Sequence, residues 1–152
     1  MRPVVPPPVW DAGFLAAMML AHRAEPIAAA SFPGQGALGV AAATSGIALA
    51  VWGVATFRRH RTTVNPLAPT RASSLVTSGP FRFTRNPMYV GMLLVLVGAA
   101  VWLGSVMAAL FLPLFVLVLT LVQVRPEEAA MRELFGEPYL AYAARVPRWV
   151  LV

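Results

Sequence analysis

The chain has 152 residues, of which 59% are hydrophobic and 12% charged. So few charges exclude an ordinary soluble domain, in which about a quarter of the residues are charged, and point to an integral membrane protein. The formal net charge is +6 and every basic residue is arginine. These arginines flank apolar segments rather than forming a soluble patch, so membrane orientation accounts for them better than nucleic acid does.

There is no cysteine, which rules out a disulfide, a thiolate nucleophile and a Cys-ligated metal. The two histidines, His22 and His60, lie far apart, read as surface residues and argue against a zinc site. The N-terminus lacks the basic, apolar and cleavage regions of a signal peptide and reads as mature.

In chain order, residues 1–8 contain Pro3, Pro6, Pro7 and Pro8 and are expected to be extended rather than helical. Residues 9–21 are apolar apart from Asp11 but fall short of the about 20 residues a full span needs, so a short, tilted or partly interfacial first helix is expected. Residues 22–36 carry loop chemistry in Glu25, Pro26, Pro33, Gly34 and Gly36. Residues 37–57 form a second span, with Trp52 towards its end and a stop at Arg58-Arg59-His60-Arg61. Gly39, Ala43 and Gly46 recur at helical spacing, which either suits close helix packing or reflects an Ala/Gly-rich composition.

A connector over 58–86 carries six arginines and no acid, and reads as polar and turn-rich. It ends in TSGPFRFTRNPMYVG, residues 77–91. Gly79-Pro80 marks a turn, Asn86 suits an N-cap and Pro87 suits the first helical position. Arg82 and Arg85 then stand at the positive end of a membrane helix, where an anionic group would be held; an ordinary capped start with interfacial arginines is the plainer alternative. A third span over 88–103, a turn at Gly104-Ser105 and a fourth span over 106–124 form an antiparallel hairpin, with a kink expected at Pro113.

From 125 to 152 the pattern becomes a tail of amphipathic helices. Pro126-Glu127-Glu128 opens one helix with Met131, Leu134 and Phe135 on one face and Glu128, Arg132 and Glu133 on the other. Gly136 and Pro138 break it, a second short helix runs through Tyr139, Leu140 and Tyr142 to Arg145, and Arg148 and Trp149 read as interfacial anchors. The fold class expected is therefore all-α integral membrane, one domain with about four transmembrane helices. Ten arginines lie in the connector and tail and only Arg23 in the opposite loop, so connector, tail and both termini are expected on the cytoplasmic side, in the plasma (inner) membrane.

Two clusters carry candidate chemistry: Arg85 to Gly91, and Glu127-Glu128. The carboxylates suit an amino group or ribose hydroxyls, or else simply follow Pro126 and favour the helix dipole, with Glu128–Arg132 an i,i+4 pair. Tyr89 suits either a ligand hydrogen bond or an aromatic belt, and Gly91 either close ligand approach or helix packing.

The motifs as a set are specific. The run TTVNP…LVTSGPFRFTRNPMYVG, a helical hairpin, and then RPEEAAMRELFGEPYLAYAARVPRW resembles the isoprenylcysteine carboxyl methyltransferase family and the related phospholipid N-methyltransferases. The likeness covers about 62–149: a Gly-Pro-aromatic-Arg segment, an Arg-x-Pro-x-Tyr-x-Gly motif, and Glu-Glu before Phe-Gly-x-x-Tyr-x-x-Tyr. It implies an S-adenosylmethionine-dependent methyltransferase in the membrane, with a lipidic or prenylated acceptor, membrane lipids as partners, and neither metal nor nucleic acid. Carried over by residue, it implies that Arg85, Asn86, Pro87, Met88, Tyr89, Gly91, Glu127 and Glu128 bind the cofactor; Arg85 and Tyr89 are expected to act in catalysis, with Arg148 as a candidate arginine for the acceptor. Asn86 stands where the family usually has histidine, which excludes a titrating role there.

Methyl transfer from a sulfonium needs alignment and exclusion of water rather than a covalent nucleophile. A carboxylate acceptor would need an arginine, with Arg85, Arg145 and Arg148 as candidates. Competing readings are a sterol-reductase-like membrane oxidoreductase using a nicotinamide cofactor, and a small multidrug-type transporter. The transporter would be expected to bury an acid within a span, and only Asp11 comes near.

Overall fold

A computed structural model of the chain describes residues 5–24, 31–60 and 74–150, and among these every regular element is a helix. Helix α1 is Pro7–Ala24 and α2 is Gln35–Arg59; a 3₁₀ turn, Gly79–Arg82, then leads into α3, Pro87–Leu103. Four segments follow end to end: α4 (Val106–Ala109), α5 (Phe111–Leu119), a π-helical turn (Thr120–Val124) and α6 (Arg125–Phe135); α7 is Glu137–Ala143. The part of the connector containing Thr62-Thr63-Val64-Asn65-Pro66 and Pro69 lies outside the described residues, as does the Glu25-Pro26 part of the first loop.

Two helices are long and apolar enough to cross a membrane: α2, with 25 residues, and the continuous run Val106–Phe135, with 30. At about 1.5 Å per residue both exceed the about 30 Å of a bilayer's hydrocarbon core. Neither resembles the core helix of a soluble protein, because most of its side chains face outward. Leu38, Val40, Ile47 and Val51 on α2, and Leu110, Leu114, Leu117 and Leu121 on the second run, are exposed and form an outer surface suited to lipid. Helix α3 is apolar but shorter, at 17 residues.

Helix α3 sits at the centre. One face meets α2 along a seam of small residues, where Gly39 opposes Gly98, Gly46 opposes Gly91, and Gly53 lies against Met88 and Pro87. A Cβ at Gly39 would stand 2.8 Å from the Gly98 carbonyl oxygen, and one at Gly46 would run into the Gly91 carbonyl. The small-residue spacing therefore marks close packing within this chain. The other face of α3 packs on α1 and α5: Met18, Tyr89, Leu96, Ala100, Phe115 and Leu119 form a buried cluster, and Phe14 meets Phe115 edge-on at 5.2 Å. At the far end, Gln35 closes the seam by donating its amide to the carbonyls of Val101 and Trp102, two of the C-terminal acceptors that a helix leaves free.

The structure departs from the sequence expectations in five places. Helix α1 begins at Pro7, inside the stretch expected to be extended, because a helix's first turn needs no N–H from its residues. Asn86 precedes α3 as expected, but its side chain caps no helix N–H. The fourth span and the first tail helix form one continuous helix: the Arg125 N–H reaches five residues back to the Thr120 carbonyl, and this widened turn accommodates Pro126 without a break. The polarity of α6 is not the expected one either, since Glu128 is buried and Leu134 exposed. The hairpin turn is as expected. Gly104 adopts φ +59° and Ser105 accepts from the Ala108 N–H. The irregularity attributed to Pro113 falls one turn earlier, at Leu110, next to the carbonyl of Ala109 that a proline ring would crowd.

Candidate functional site

At the N-terminal end of α3 three remote segments converge: residues 84–89, the start of α6 and the tail after α7. Burial and charge make this the densest polar cluster among the described residues. Glu128, 6% exposed, is gripped by two arginines. Arg85 approaches its Oε1 at 3.1 Å, and Arg148 donates through Nε to Oε1 at 2.9 Å and through the second terminal nitrogen to Oε2 at 2.7 Å. The Arg148 contact is the bidentate fork that guanidinium and carboxylate form best. The hydrogen bond to Glu128 raises the Arg148 pKa above its usual value, against the opposing effect of burial.

One residue away, Glu127 accepts from the Tyr89 hydroxyl at 2.6 Å. The two acids are neighbours on α6, so helical geometry turns them about 100° apart and gives each its own partner on α3's side. Beside them stand the tyrosines of α7. Burial raises the pKa of Tyr139, with the Glu128 charge adding and Arg85 opposing. Tyr142 is also raised, chiefly by burial, and its hydroxyl donates to the Phe81 carbonyl at 2.7 Å, which ties α7 to the Gly-Pro-Phe turn. Phe81 in turn packs on Phe57 of α2 at 4.7 Å.

The tail closes over this cluster. The Arg85 N–H donates to the Pro147 carbonyl at 2.9 Å, while the Thr84 hydroxyl (3.0 Å) and the Asn86 amide (2.9 Å) both donate to the Arg148 carbonyl. Trp149 donates its indole N–H to Thr120 Oγ1, in the π-helical turn, at 3.1 Å. Arg148 and Trp149, expected as interfacial anchors, are thus drawn inward. Glu128 does not form the i,i+4 pair with Arg132, because both of its oxygens are committed to arginines from other segments.

Arg148 and Trp149 also line an apolar groove of about 500 Å³, walled by Val90 and Leu93 of α3 and by Val116 and Leu117 of α5. That volume lies within the usual range of small-molecule sites. Arg148 is its charged lining residue.

Arg85, Tyr89, Glu127, Glu128 and Arg148 therefore come together. Pro87 and Met88 lie instead against Gly53 of α2, and Gly91 faces Gly46 and Ala50, so these three belong to the seam. Asn86 joins the cluster through the tail. Arg145 is exposed and bonds to the Ala141 carbonyl. His60 is exposed and contacts Ser78 at 2.8 Å. Thr84 and Thr120 are participants that sequence reading missed. The signal for Thr84 was local: Thr-x-Asn is a spacing at which the hydroxyl accepts from the backbone N–H two residues on, as Thr84 does from Asn86 at 3.2 Å. No group of metal-ligating side chains occurs among the described residues.

A family model described as phospholipid methyltransferase matches residues 35–138. An uncharacterized protein of Haemophilus influenzae is 36% identical over 63 residues, which is all of that protein and 41% of this chain. Protein-S-isoprenylcysteine O-methyltransferase B of Arabidopsis thaliana is 34% identical over 76 residues, half of this chain but 39% of the plant protein. No solved structure gives a significant match.

Proposed function

This chain belongs to the phospholipid methyltransferase family, and from that premise we propose that it is a membrane enzyme transferring a methyl group from S-adenosylmethionine to a lipidic or prenylated acceptor. The observation that carries the reading is the junction between the charged cluster at the start of α6 and the apolar groove, made by the single residue Arg148.

The cluster suits the cofactor. S-adenosylmethionine, when bound, supplies an electrophilic methyl on a sulfonium and presents an ammonium and a carboxylate. Glu127 offers a half-buried carboxylate already oriented by the Tyr89 hydroxyl, and Arg85 has a buried Nε without a partner among the described residues. A carboxylate and an unsatisfied guanidinium N–H in one cluster complement a zwitterion. Glu128 holds Arg85 and Arg148 in place rather than facing the ligand with free oxygens. Tyr89 and Glu127 fix one wall, and the tail excludes water from above.

The groove suits the acceptor's apolar chain, with Arg148 at the position where an anionic head would lie. Two of the five Arg148 N–H donors are used on Glu128, which leaves donors for a second oxyanion. In this arrangement α1 and α3 cross the bilayer together with α2 and the long run, and the cluster faces the cytoplasm, where the connector's arginines belong. The cofactor then enters from water and the acceptor from the lipid.

Calorimetric titration of detergent-solubilised protein with S-adenosylmethionine tests the reading. Saturable binding is expected, weakened about tenfold by Tyr89→Phe or Glu127→Gln, each of which removes one charge-assisted contact. NADPH should not bind. Absence of S-adenosylmethionine binding by folded protein, or binding of NADPH in its place, would reject it.

A further inference from the structure

We propose that Thr84 and Asn86 are positioning residues: they hold the main-chain carbonyl of Arg148 and so set its guanidinium between Glu128 and the apolar groove. The inference rests on the methyltransferase reading for its consequence, and on hydrogen-bond geometry for its cause.

Arg148 lies after α7, in a segment without regular structure, where nothing in the local backbone fixes a side chain. Yet three successive residues before α3 grip this tail. The Arg85 N–H takes the Pro147 carbonyl, and the Thr84 hydroxyl and Asn86 amide take the two lone pairs of the Arg148 carbonyl. The Asn86 amide is oriented unambiguously, since a carbonyl only accepts and the nitrogen must face it. Thr84 is itself aligned by the Asn86 N–H, which donates to its hydroxyl, and its side chain is buried. The same two segments meet again through side chains, with Arg85 and Arg148 both on Glu128. The result is a closed ring in which the carbonyl of Arg148 is held on one side and its guanidinium on the other.

Asn86 thus acts on Arg148 rather than through a proton or a direct ligand contact. Loosening the ring should move the guanidinium relative to the groove while leaving Glu127 and Tyr89, which take no part in it, where they are.

The test uses full-length protein and the variants Thr84→Val and Asn86→Asp, the latter exchanging a donor for a second acceptor. Thr84→Ser, which keeps the hydroxyl, is the conservative control. Hydrogen–deuterium exchange, which needs no ligand, should rise over residues 147–150 in the first two variants and stay at the wild-type level in Thr84→Ser. Unchanged exchange would overturn the clamp. In turnover assays with farnesylated N-acetylcysteine in micelles, and separately with phosphatidylethanolamine vesicles, the acceptor KM should rise about tenfold, a larger factor than any loss of S-adenosylmethionine affinity transmitted through Arg85.

The decisive comparison places both variants in an Arg148→Ala background, where the carbonyl remains but the guanidinium is gone. If Thr84 and Asn86 act through that side chain, they add no further acceptor effect there. Equal effects in both backgrounds, or loss of cofactor affinity in parallel, would reduce them to structural residues. Wild-type protein that binds no S-adenosylmethionine, with the variants exchanging as expected, would reject the methyltransferase reading and the effect on acceptor binding while upholding the clamp on the Arg148 carbonyl.

Discussion

Helix α3 is held in two different ways along its length. From Gly91 onwards it is locked to α2 by backbone contact: glycine against glycine, no charge, and tolerance set by volume alone. At and just before its start, over Thr84–Tyr89, it is held by directional polar bonds to residues that are 38 to 64 positions away in sequence. The seam can be built from any small residues at the right spacing, whereas the polar end needs particular side chains in register across three segments. Packing set by volume and anchoring set by directional bonds therefore share a single helix, and substitutions should separate them.

The sharpest break in that contrast is Glu128→Gln. Removing the carboxylate leaves Arg85 and Arg148 facing each other without a counter-charge in a largely buried site, and losing one partner of such a group typically costs about 3–5 kcal/mol. Arg148 is partly exposed, so the low end of that range is expected. Thermal unfolding in detergent should show a large drop, and Arg85→Ala introduced together with Glu128→Gln should restore part of it by removing one stranded cation. A drop no larger than that of an exposed glutamate would mean that the cluster is not the polar anchor of α3.

The seam is tested by Gly46→Ala. The added methyl would collide with the Gly91 carbonyl and with Leu94, and overpacking of this kind costs about 1–3 kcal/mol. Gly13→Ala in α1 is the matched control, because nothing lies within 4 Å of its new Cβ and a helix favours alanine. Equal melting temperatures for the two variants would dissolve the distinction between a packed seam and an ordinary glycine-rich helix.

The same contrast explains what could be read in advance. The seam's spacing, the stop at Arg58-Arg59, the Gly104-Ser105 turn and Pro87 at the head of α3 are local signals, and each lies where its own residues dictate. The pairing of Glu128 with Arg85 and Arg148 is not local. Within α6 alone, Glu128 looks like one more charged residue on a solvent face, and only the arrival of two other segments buries it. Asn86 shows the same limit. As a cap its chemistry fits, but the tail's carbonyl offers its amide a donor role that no neighbour in sequence could reveal. The continuity of the fourth span with α6 was hidden for a third reason. Pro126 heads a helix as naturally as it follows a π turn, and the sequence pattern is the same in both cases.

The smallest effect tests whether the polar end extends to α7. Tyr142 ties that helix to the Gly-Pro-Phe turn through one neutral hydrogen bond to the Phe81 carbonyl, in a buried setting. Tyr142→Phe keeps the ring and its packing and removes only the hydroxyl, so a loss of about 1 kcal/mol is expected. Because the Phe81 backbone belongs to the turn that leads into Thr84 and Arg85, the change should also raise hydrogen exchange at residues 81–84 while leaving the seam residues 91–98 protected. Protection lost in both places would mean that the two ends of α3 are coupled as one unit. Protection lost only near the turn would make the polar end a separately adjustable part, free to vary with the ligand while the seam keeps the helix in place.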